Sequence, residues 1–191
     1  MKWFEEYIEK NGPYDAVWGF SQGSLLITAA LIKYQSEKKT PPFKSAILFS
    51  GSPPLPAMEA LGFDIPESSW KRDLASMNAL SAQTDSQAIL DSGGDRWAGS
   101  HTGDDASLFA ISEEEAQTEI KSPYGPIQLP TVHISGSKDP RFVTALQMSG
   151  LYEPSLRKMY NHGGGHEIPR KSDVNTKMAD LVQWALEEAG I

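Results

Sequence analysis

A serine between two glycines is the first group of residues in this sequence that could do chemistry. Residues 19–23 read Gly-Phe-Ser-Gln-Gly, with an apolar run at 16–18 before them and a helix-like run at 24–31 after them. A strand, a sharp turn and a helix in this order form a nucleophile elbow, in which the turn lifts a serine above the sheet. Glycines at both ends have no Cβ, so neighbouring backbones can pass close together. Ser21 is therefore the candidate nucleophile.

A serine nucleophile needs a base and an orienting acid, and candidates for both follow along the chain. Asp139 comes just after a predicted strand at 131–135, and His166 lies in a glycine-rich loop after a predicted strand at 155–160. The order serine, aspartate, histidine is the one that accompanies a nucleophile elbow. Reactive groups of parallel α/β sheets gather at the carboxyl ends of the strands. We therefore expect Ser21, Asp139 and His166 to converge and to support acyl transfer.

Several of these residues also have simpler interpretations. Asp139 precedes a proline, as an aspartate that caps the following helix does. His162 competes with His166 for the role of base, and His166, further into the loop, is the favoured candidate. His133 is expected to be packed or at an edge within its strand, and His101 to lie at the surface. The glycines between His162 and His166 argue against a zinc site on a helical face, so no metal is expected.

The composition excludes several classes of protein. The 191 residues carry a net charge of −8 and include no cysteine. Without cysteine, disulfides, thiolate metal sites and Cys-His hydrolases are excluded. No cluster of lysine and arginine indicates a phosphate-binding face, so nucleic acid is not an expected partner. No apolar run approaches the roughly 20 residues of a membrane span, and the amino-terminal residues lack a secretory signal, which predicts a cytoplasmic protein.

The pattern of apolar runs predicts one α/β domain over residues 1–191. Short apolar runs without strict alternation are typical of parallel strands that are buried on both faces. These runs predict strands at 16–20, 46–49, 131–135 and 155–160, and helical periodicity predicts helices at 2–10, 22–37, 141–150 and 172–189. In residues 52–130 this alternation of strands and helices gives way to proline-rich, polar and acidic stretches. Because long unstructured loops are uncommon, we predict a partly helical, lid-like or irregular insertion there.

Three segments together resemble the fungal family serine hydrolases, a group of α/β-hydrolases that includes esterases and thioesterases of polyketide clusters. They are residues 19–23, residues 136–140 (Gly-Ser-Lys-Asp-Pro) and residues 162–170 (His-Gly-Gly-Gly-His-Glu-Ile-Pro-Arg). The resemblance covers nearly the whole chain and implies an α/β-hydrolase fold with a long insertion before the aspartate strand. It implies Ser21 as nucleophile, Asp139 as orienting acid and His166 as general base. It implies no metal or organic cofactor, and a small-molecule acyl ester or thioester as substrate.

The resemblance also bears on the oxyanion hole. Members of the family are expected to begin with a strand and a His-Gly loop that supplies one N–H donor, whereas this chain begins at the helix before the elbow. The N–H of Gln22, the residue after the nucleophile, is the other expected donor. Residues 162–165 read His-Gly-Gly-Gly, which matches the oxyanion motif of lipases. They follow the nucleophile in the chain, so we interpret their glycines as turn residues. The resemblance thus predicts an N-terminally truncated fold.

Two functions remain open at this point. In the first, the chain is a serine hydrolase that cleaves a carboxylic ester or thioester through an acyl-enzyme on Ser21. In the second, it is a catalytically impaired fragment or pseudoenzyme that acts by association with another chain, since a missing oxyanion donor costs on the order of 100- to 1,000-fold in turnover. Without preceding strands, the predicted strand at 16–20 would be an exposed apolar edge, which favours homo-oligomers.

Overall fold

A sheet of four parallel strands forms the centre of the molecule. The computed structural model describes residues 2–93, 97 and 106–191. The strands are β1 (Ala16–Phe20), β2 (Ser45–Phe49), β3 (Thr131–Ser135) and β4 (Arg157–Asn161), and they lie side by side in chain order. Each neighbouring pair is parallel, so all four carboxyl ends lie at one edge of the sheet. The predicted parallel sheet is confirmed.

Helices flank this sheet and fill the segment between β2 and β3. In the described residues they are α1 (Lys2–Asn11), α2 (Gln22–Ser36), α3 (Leu55–Ala60), α4 (Glu67–Thr84), α5 (Ser86–Ser92), α6 (Ala106–Phe109), α7 (Glu113–Thr118), α8 (Phe142–Ser149) and α9 (Ser172–Glu188). The four helices that the sequence predicts correspond to α1, α2, α8 and α9, and each boundary agrees to within one residue. Among these described helices, none combines the length and apolar character needed to cross a membrane.

Alternation along β2 explains why helices pack on both faces of the sheet. Leu48 belongs to a core cluster that includes Leu31 of α2, whereas Ile47 packs in a second cluster with Leu181 and Ala185 of α9. Successive side chains of a strand point to opposite faces, so neighbouring apolar residues serve different layers. Burying each of these large apolar side chains stabilises the fold by roughly 1.5–3 kcal/mol. The continuous apolar character of β2 therefore produces a three-layer arrangement with the sheet in the middle.

The segment 52–130 is mainly helical in its described part, where it contains α3 to α7. Phe63 and Ile120 are buried in the same core cluster as α2, so the segment packs on the sheet domain. Among its described residues, β pairing is limited to an isolated bridge between Ile127 and Tyr152. The segment is thus partly helical where it is described, and its role as a lid-like insertion stays a prediction. His101, predicted at the surface, lies outside the described residues.

Polar contacts join helix α4 to its neighbours. The buried guanidinium of Arg72 pairs with Glu119 at 2.6 Å. The same carboxylate accepts hydrogen bonds from Ser68 Oγ at 2.5 Å and from Gln147 Nε2 at 2.7 Å. Glu119 directly follows α7 and Gln147 lies in α8, so these polar contacts attach α4 to α7 and α8.

The fourth strand begins two residues later than the sequence predicts. Pro154–Leu156 form a short 3-10 helix, and the side chain of Glu153 accepts a hydrogen bond from the N–H of Ser155 at its start. Proline has no N–H and a fixed φ, which suits a helical first turn better than a strand ladder. The ladder therefore starts at Arg157 and ends at Asn161.

Strand β1 is the edge of the sheet within the described part of the chain, where it pairs with β2 alone. Trp18 in the middle of this strand is 64% exposed. An indole this open on an edge strand is unusual, because edges are commonly protected by charge, a bulge or a covering element.

Candidate active site

Ser21 occupies the sharp turn between β1 and α2. Its backbone has φ 54° and ψ −112°, a conformation that costs a non-glycine residue on the order of 1–3 kcal/mol. A serine before a helix often caps it, yet the side chain of Ser21 makes no capping hydrogen bond. The hydroxyl is therefore left for another partner. Strain of this kind is characteristic of the serine in a nucleophile elbow.

Hydrogen bonds and one close approach hold the turn. The N–H of Ser21 donates to the carbonyl of Phe49 in β2 at 2.8 Å. Ser24 Oγ lies 2.7 Å from the carbonyl oxygen of Gly19 and 3.0 Å from that of Phe49. A Cβ on Gly19 would lie 2.5 Å from the backbone carbon of Gly23, which no side chain tolerates. Gly19 thus allows the start of α2 to return against the end of β1.

Gly23 behaves differently from Gly19. A Cβ on Gly23 would meet no atom of the described residues within 4 Å. The prediction that both glycines of the elbow are needed for close approach is therefore wrong for Gly23. Its Cβ direction points away from the described backbones, whereas that of Gly19 points at the first turn of α2.

The three predicted residues meet at the carboxyl edge of the sheet. Ser21 Oγ lies 3.0 Å from His166 Nε2, and His166 Nδ1 lies 2.8 Å from Asp139 Oδ2. The Asp139 side chain is fully buried and that of His166 is 7% exposed. The ring of His166 also packs on Phe20, with ring centroids 5.0 Å apart. A serine hydroxyl, an imidazole and a buried carboxylate are thus connected by consecutive hydrogen bonds.

The carboxylate of Asp139 is satisfied on both oxygens. Oδ1 accepts the N–H of Arg141 at 2.8 Å, while Oδ2 contacts His166. The main-chain carbonyl of Asp139 accepts the N–H of Phe142, the first residue of α8, at 2.9 Å. Hydrogen bonds to a carboxylate offset the cost of burying its charge. Asp139 therefore holds the turn before α8 as well as contacting the histidine, but the N-cap of α8 is Arg141, so the interpretation of Asp139 as the cap of that helix is wrong.

The loops that carry Asp139 and His166 interlock. Asn161 Oδ1 accepts the N–H groups of Ser137 and Gly163, each at 2.9 Å. A Cβ on Gly136 would lie 2.0 Å from the carbonyl oxygen of Gly164, so the two glycine-containing loops touch backbone to backbone. This contact fixes the distance between the two loops and hence between the acid and the histidine.

The structure brings His166 rather than His162 to the serine. The Nδ1 atom of His162 accepts the N–H of Gly164 at 3.2 Å, within its own loop. Burial lowers the pKa of His162. Gly163 has φ +71°, which suits a turn. These contacts fit the interpretation of residues 162–165 as a turn.

His133 is packed inside the core. Its ring lies edge to face with Tyr152, with centroids 4.8 Å apart, and Nε2 is 3.3 Å from Thr131 Oγ1. Burial, with a smaller contribution from the charge of Arg157, lowers the pKa of His133 to about 3. The imidazole is thus neutral at physiological pH and takes no part in the site.

The N–H of Gln22 is the predicted oxyanion donor. Gln22 is the first residue of α2, where N–H groups have no partner within the helix. The partial positive charge of the helix N-terminus also lies there. Within the described residues we assign no second donor. Those residues also contain no group of three or more His, Asp or Glu side chains that could hold a metal ion.

Two depressions border the hydrogen-bonded residues. A cavity of about 400 Å³ is lined by Ser21 and Gln22 together with β2-end and α4 residues. A larger groove of about 960 Å³ lies along the loop of His166 and is bordered by Phe20. Ser21 therefore borders a cavity that is also lined by α4.

Three residues that support this geometry are not among the candidates from sequence. They are Ser24, Arg141 and Asn161. Asn161 precedes the glycine-rich loop at a strand end, a position that signals a loop-bracing amide. Ser24 and Arg141 carry no signal of this kind, because the Phe49 carbonyl that Ser24 contacts and the Asp73 carboxylate that Arg141 contacts are distant in sequence.

The chain is similar to known proteins over most of its length. The model of the family "Serine hydrolase (FSH1)" matches residues 1–178. Esterase alnB of Emericella nidulans is 26% identical over an alignment of 203 residues. The alignment covers 97% of this chain and 71% of that protein. Hydrolase FUB4 of Gibberella moniliformis is 30% identical, covering 92% of this chain and 68% of that protein. Esterase FPY3 of Fusarium mangiferae is 32% identical, covering 96% of this chain and 60% of that protein.

Solved structures share the fold at low sequence identity. Human thioesterase 2 superposes with a TM-score of 0.51 at 15% identity, covering 100% of this chain and 83% of that chain. The putative non-heme bromoperoxidase BpoC of Mycobacterium tuberculosis gives 0.51 at 16% identity, covering 95% of this chain and 72% of that chain. The fold is that of the α/β-hydrolases, as the sequence predicts, and the family match places the chain among the serine hydrolases of the FSH1 family.

Proposed function

We propose that this chain cleaves a carboxylic ester or thioester through an acyl-enzyme formed on Ser21. One observation carries the proposal, the hydrogen-bonded series from Ser21 Oγ through His166 to the buried carboxylate of Asp139. A serine hydroxyl is a weak nucleophile unless a neighbouring base removes its proton. The distances of 3.0 and 2.8 Å meet this requirement for base and orienting acid.

Each group has one role in the proposed reaction. His166 Nε2 takes the proton of Ser21 Oγ as the oxygen attacks the acyl carbonyl. Asp139 accepts the hydrogen bond of Nδ1–H, keeps the imidazole in the required tautomer and stabilises its positive charge. The tetrahedral intermediate collapses, and the imidazolium gives its proton to the leaving alcohol or thiol. Water, activated by the same histidine, then releases the carboxylic acid and restores Ser21.

The N–H of Gln22 stabilises the oxyanion in this proposal. It lies at the N-terminus of α2, directly after the nucleophile, where a donor is expected in α/β-hydrolases. Each oxyanion donor contributes on the order of 100- to 1,000-fold to turnover. The rate of the isolated chain therefore depends on what supplies the second donor.

A fluorophosphonate probe tests the proposal directly. The wild-type protein is treated with the probe, digested and examined by mass spectrometry, beside Ser21→Ala and Ser36→Ala, a serine at the other end of α2. The expected adduct is on Ser21 in the wild type and is lost in Ser21→Ala. Ser36→Ala keeps the nucleophile and its turn, so its adduct remains on Ser21. Equal labelling of wild type and Ser21→Ala, or labelling of neither, contradicts an active nucleophile.

One observation favours a second candidate function. Trp18 is 64% exposed on β1, which pairs with only one strand of the described sheet. An open apolar edge strand is a template for pairing with another chain. In this second function the chain is catalytically impaired and acts through association, with a second copy as the partner at β1.

Sedimentation over a range of protein concentrations distinguishes the two functions. Association through β1 predicts a concentration-dependent dimer that Trp18→Lys dissociates, because a charge on an edge strand opposes pairing. Trp3→Lys is the matched control, since Trp3 is 69% exposed but lies on α1. A monomer at every concentration, together with probe-labelled and active wild type, excludes the second function.

A further inference from the structure

Ser50 follows β2 and lines the cavity next to Ser21. It is 2% exposed, and its Oγ has no hydrogen-bond partner among the described residues. Its backbone has φ 44°, in the left-handed region that residues with a side chain rarely adopt. A buried hydroxyl without a partner and a strained backbone thus coincide at the wall of a cavity that holds the candidate nucleophile.

The fold does not account for this hydroxyl. The N–H of Ser50 donates to the carbonyl of Ile134 at 2.8 Å, so the main chain is already anchored to β3. Glycine would adopt φ 44° without strain. Burying an unpaired hydroxyl costs free energy, and strained residues that persist are concentrated at functional sites. The hydroxyl at position 50 is therefore best explained by a partner that arrives with a ligand.

The remaining lining shows which ligand would fit. The apolar part of the lining consists of Leu25, Met77 and Leu80. The polar part includes Ser50, further hydroxyl side chains and the ion pair between Arg141 and Asp73. Because these two charges neutralise each other at 2.5 Å, the polar part offers no net charge to a free ion. The cavity suits a mainly apolar group that carries a neutral oxygen.

We infer that this cavity holds the acyl group of the substrate, and that Ser50 selects acyl groups bearing a hydroxyl or oxo oxygen by hydrogen bonding to that oxygen. The inference rests on the proposed acyl transfer to Ser21. A hydroxyl can donate to an oxo group and can accept from a hydroxyl group, so Ser50 Oγ is able to bind either. A plain alkyl chain fills the same space but leaves Ser50 Oγ without a partner.

The test compares matched thioesters of one thiol, N-acetylcysteamine. The acyl groups are hexanoyl, 3-hydroxyhexanoyl, 3-oxohexanoyl and 5-oxohexanoyl, and kcat/KM is measured for wild type, Ser50→Ala and Ser50→Gly. For at least one oxygenated acyl group, the ratio of its kcat/KM to that of hexanoyl is expected to fall about tenfold in both variants, the worth of one neutral hydrogen bond. The glycine variant removes the hydroxyl while relieving the backbone, so a folded variant is obtained in either case.

Ser45→Ala is the matched control, because Ser45 is a buried serine of the strand that Ser50 follows and is not among the residues that line the cavity. Its ratios are expected to match those of the wild type. An equal loss for all four thioesters in the Ser50 variants would indicate a role in the reaction itself and overturns the inference, as do unchanged ratios. If wild type hydrolyses no thioester and the fluorophosphonate fails to label Ser21, the proposed function fails and this inference with it. Labelling and hydrolysis with unchanged ratios reject the role of Ser50 alone.

Discussion

The guanidinium of Arg141 lies 2.5 Å from the carboxylate of Asp73, and this ion pair joins the loop after β3 to helix α4. The N–H of Arg141 also donates to Asp139 Oδ1. One residue therefore contacts both the helix that walls the cavity and the carboxylate that holds His166. A shift of α4 would therefore be transmitted through Arg141 to the carboxylate of Asp139.

Removing Asp73 should destabilise the protein and weaken substrate binding. In Asp73→Ala the Arg141 side chain, which is 8% exposed, keeps its charge without its partner. We expect a loss of about 2–3 kcal/mol in the free energy of unfolding, somewhat below the loss for a fully buried pair. Because α4 walls the cavity, KM should rise more than kcat falls. Urea unfolding and steady-state kinetics measure both quantities.

Lys71→Ala is the control for this change. Lys71 lies on the same helix and pairs with Glu67, but both side chains are largely exposed, at 60% and 81%. Exposed pairs contribute little, so its unfolding free energy should change by less than about 0.5 kcal/mol. Similar losses in Asp73→Ala and Lys71→Ala would show that the Asp73–Arg141 pair does not hold α4.

The two glycines of the elbow should respond in opposite directions to alanine. In Gly19→Ala the new Cβ would lie 2.5 Å from the backbone of Gly23, so the elbow must open. We expect about 1–3 kcal/mol of destabilisation and loss of fluorophosphonate labelling at Ser21. In Gly23→Ala the Cβ meets no described atom within 4 Å, and alanine favours a helix by about 0.5–1 kcal/mol. Thermal unfolding with parallel labelling compares the pair.

A severe effect of Gly23→Ala would contradict this prediction. It would mean that an element outside the described residues packs against the start of α2. The comparison therefore also tests whether the open face beside Gly23 is covered in solution.

The meeting of Ser21, Asp139 and His166 could be predicted because each residue follows a strand. Parallel strands end at one edge of a sheet, so the loops that follow them share that edge wherever they are in the chain. Because β1 and β4 are the outer strands of the described sheet, the contact of His166 with Ser21 also requires the loop after β4 to extend across this edge. Local patterns of apolar residues also determine the helices on either face. The helix predicted at 172–189, for example, agrees with α9 (Ser172–Glu188). These features depend on short stretches of sequence.

The wall of the cavity could not be predicted in this way. Asp73 and Arg141 are 68 positions apart, and their contact depends on how the inserted helix α4 packs against α8. The positive φ of Ser50 is likewise set by the chain leaving β2 and not by a turn motif, since the residue is not glycine. The difference between Gly19 and Gly23 arises because their Cβ directions face different surroundings. Each of these features requires long-range packing that local periodicity does not encode.

Removing the hydroxyl of Ser50 should stabilise the free protein. Ser50→Ala eliminates a buried hydroxyl that has no partner among the described residues, which should raise the unfolding free energy by about 1 kcal/mol. For a chain of this size the melting temperature should rise by roughly 2–4 °C. Ser45→Ala is the control, since Ser45 Oγ, also buried and in the strand that Ser50 follows, donates to the carbonyl of Pro130 at 3.1 Å. That variant should lose stability, and a loss of similar size in Ser50→Ala would show that the Ser50 hydroxyl is bonded in the fold.

Acid should destabilise the protein through His133. Burial lowers the pKa of His133 to about 3 in the folded chain, against 6.5 for an ordinary histidine. Between these values the unfolded chain binds a proton at this position and the folded chain does not. The contribution is absent above pH 6.5 and grows as pH falls towards 3. Stability should therefore decrease by up to about 1.4 kcal/mol per pH unit from this group, over and above the effect of other residues.

His133→Phe isolates this contribution, because it keeps an aromatic ring beside Tyr152 and removes the titrating nitrogens. Urea unfolding between pH 4 and 8 should give a shallower dependence on pH for His133→Phe than for wild type below about pH 6.5. Thr131→Val is the control, since it removes the 3.3 Å contact to His133 Nε2 without removing the imidazole. Its slope should match that of wild type even if its stability is lower. Identical slopes for wild type and His133→Phe would contradict the prediction, because they would show that His133 binds its proton in the folded chain as readily as in the unfolded chain.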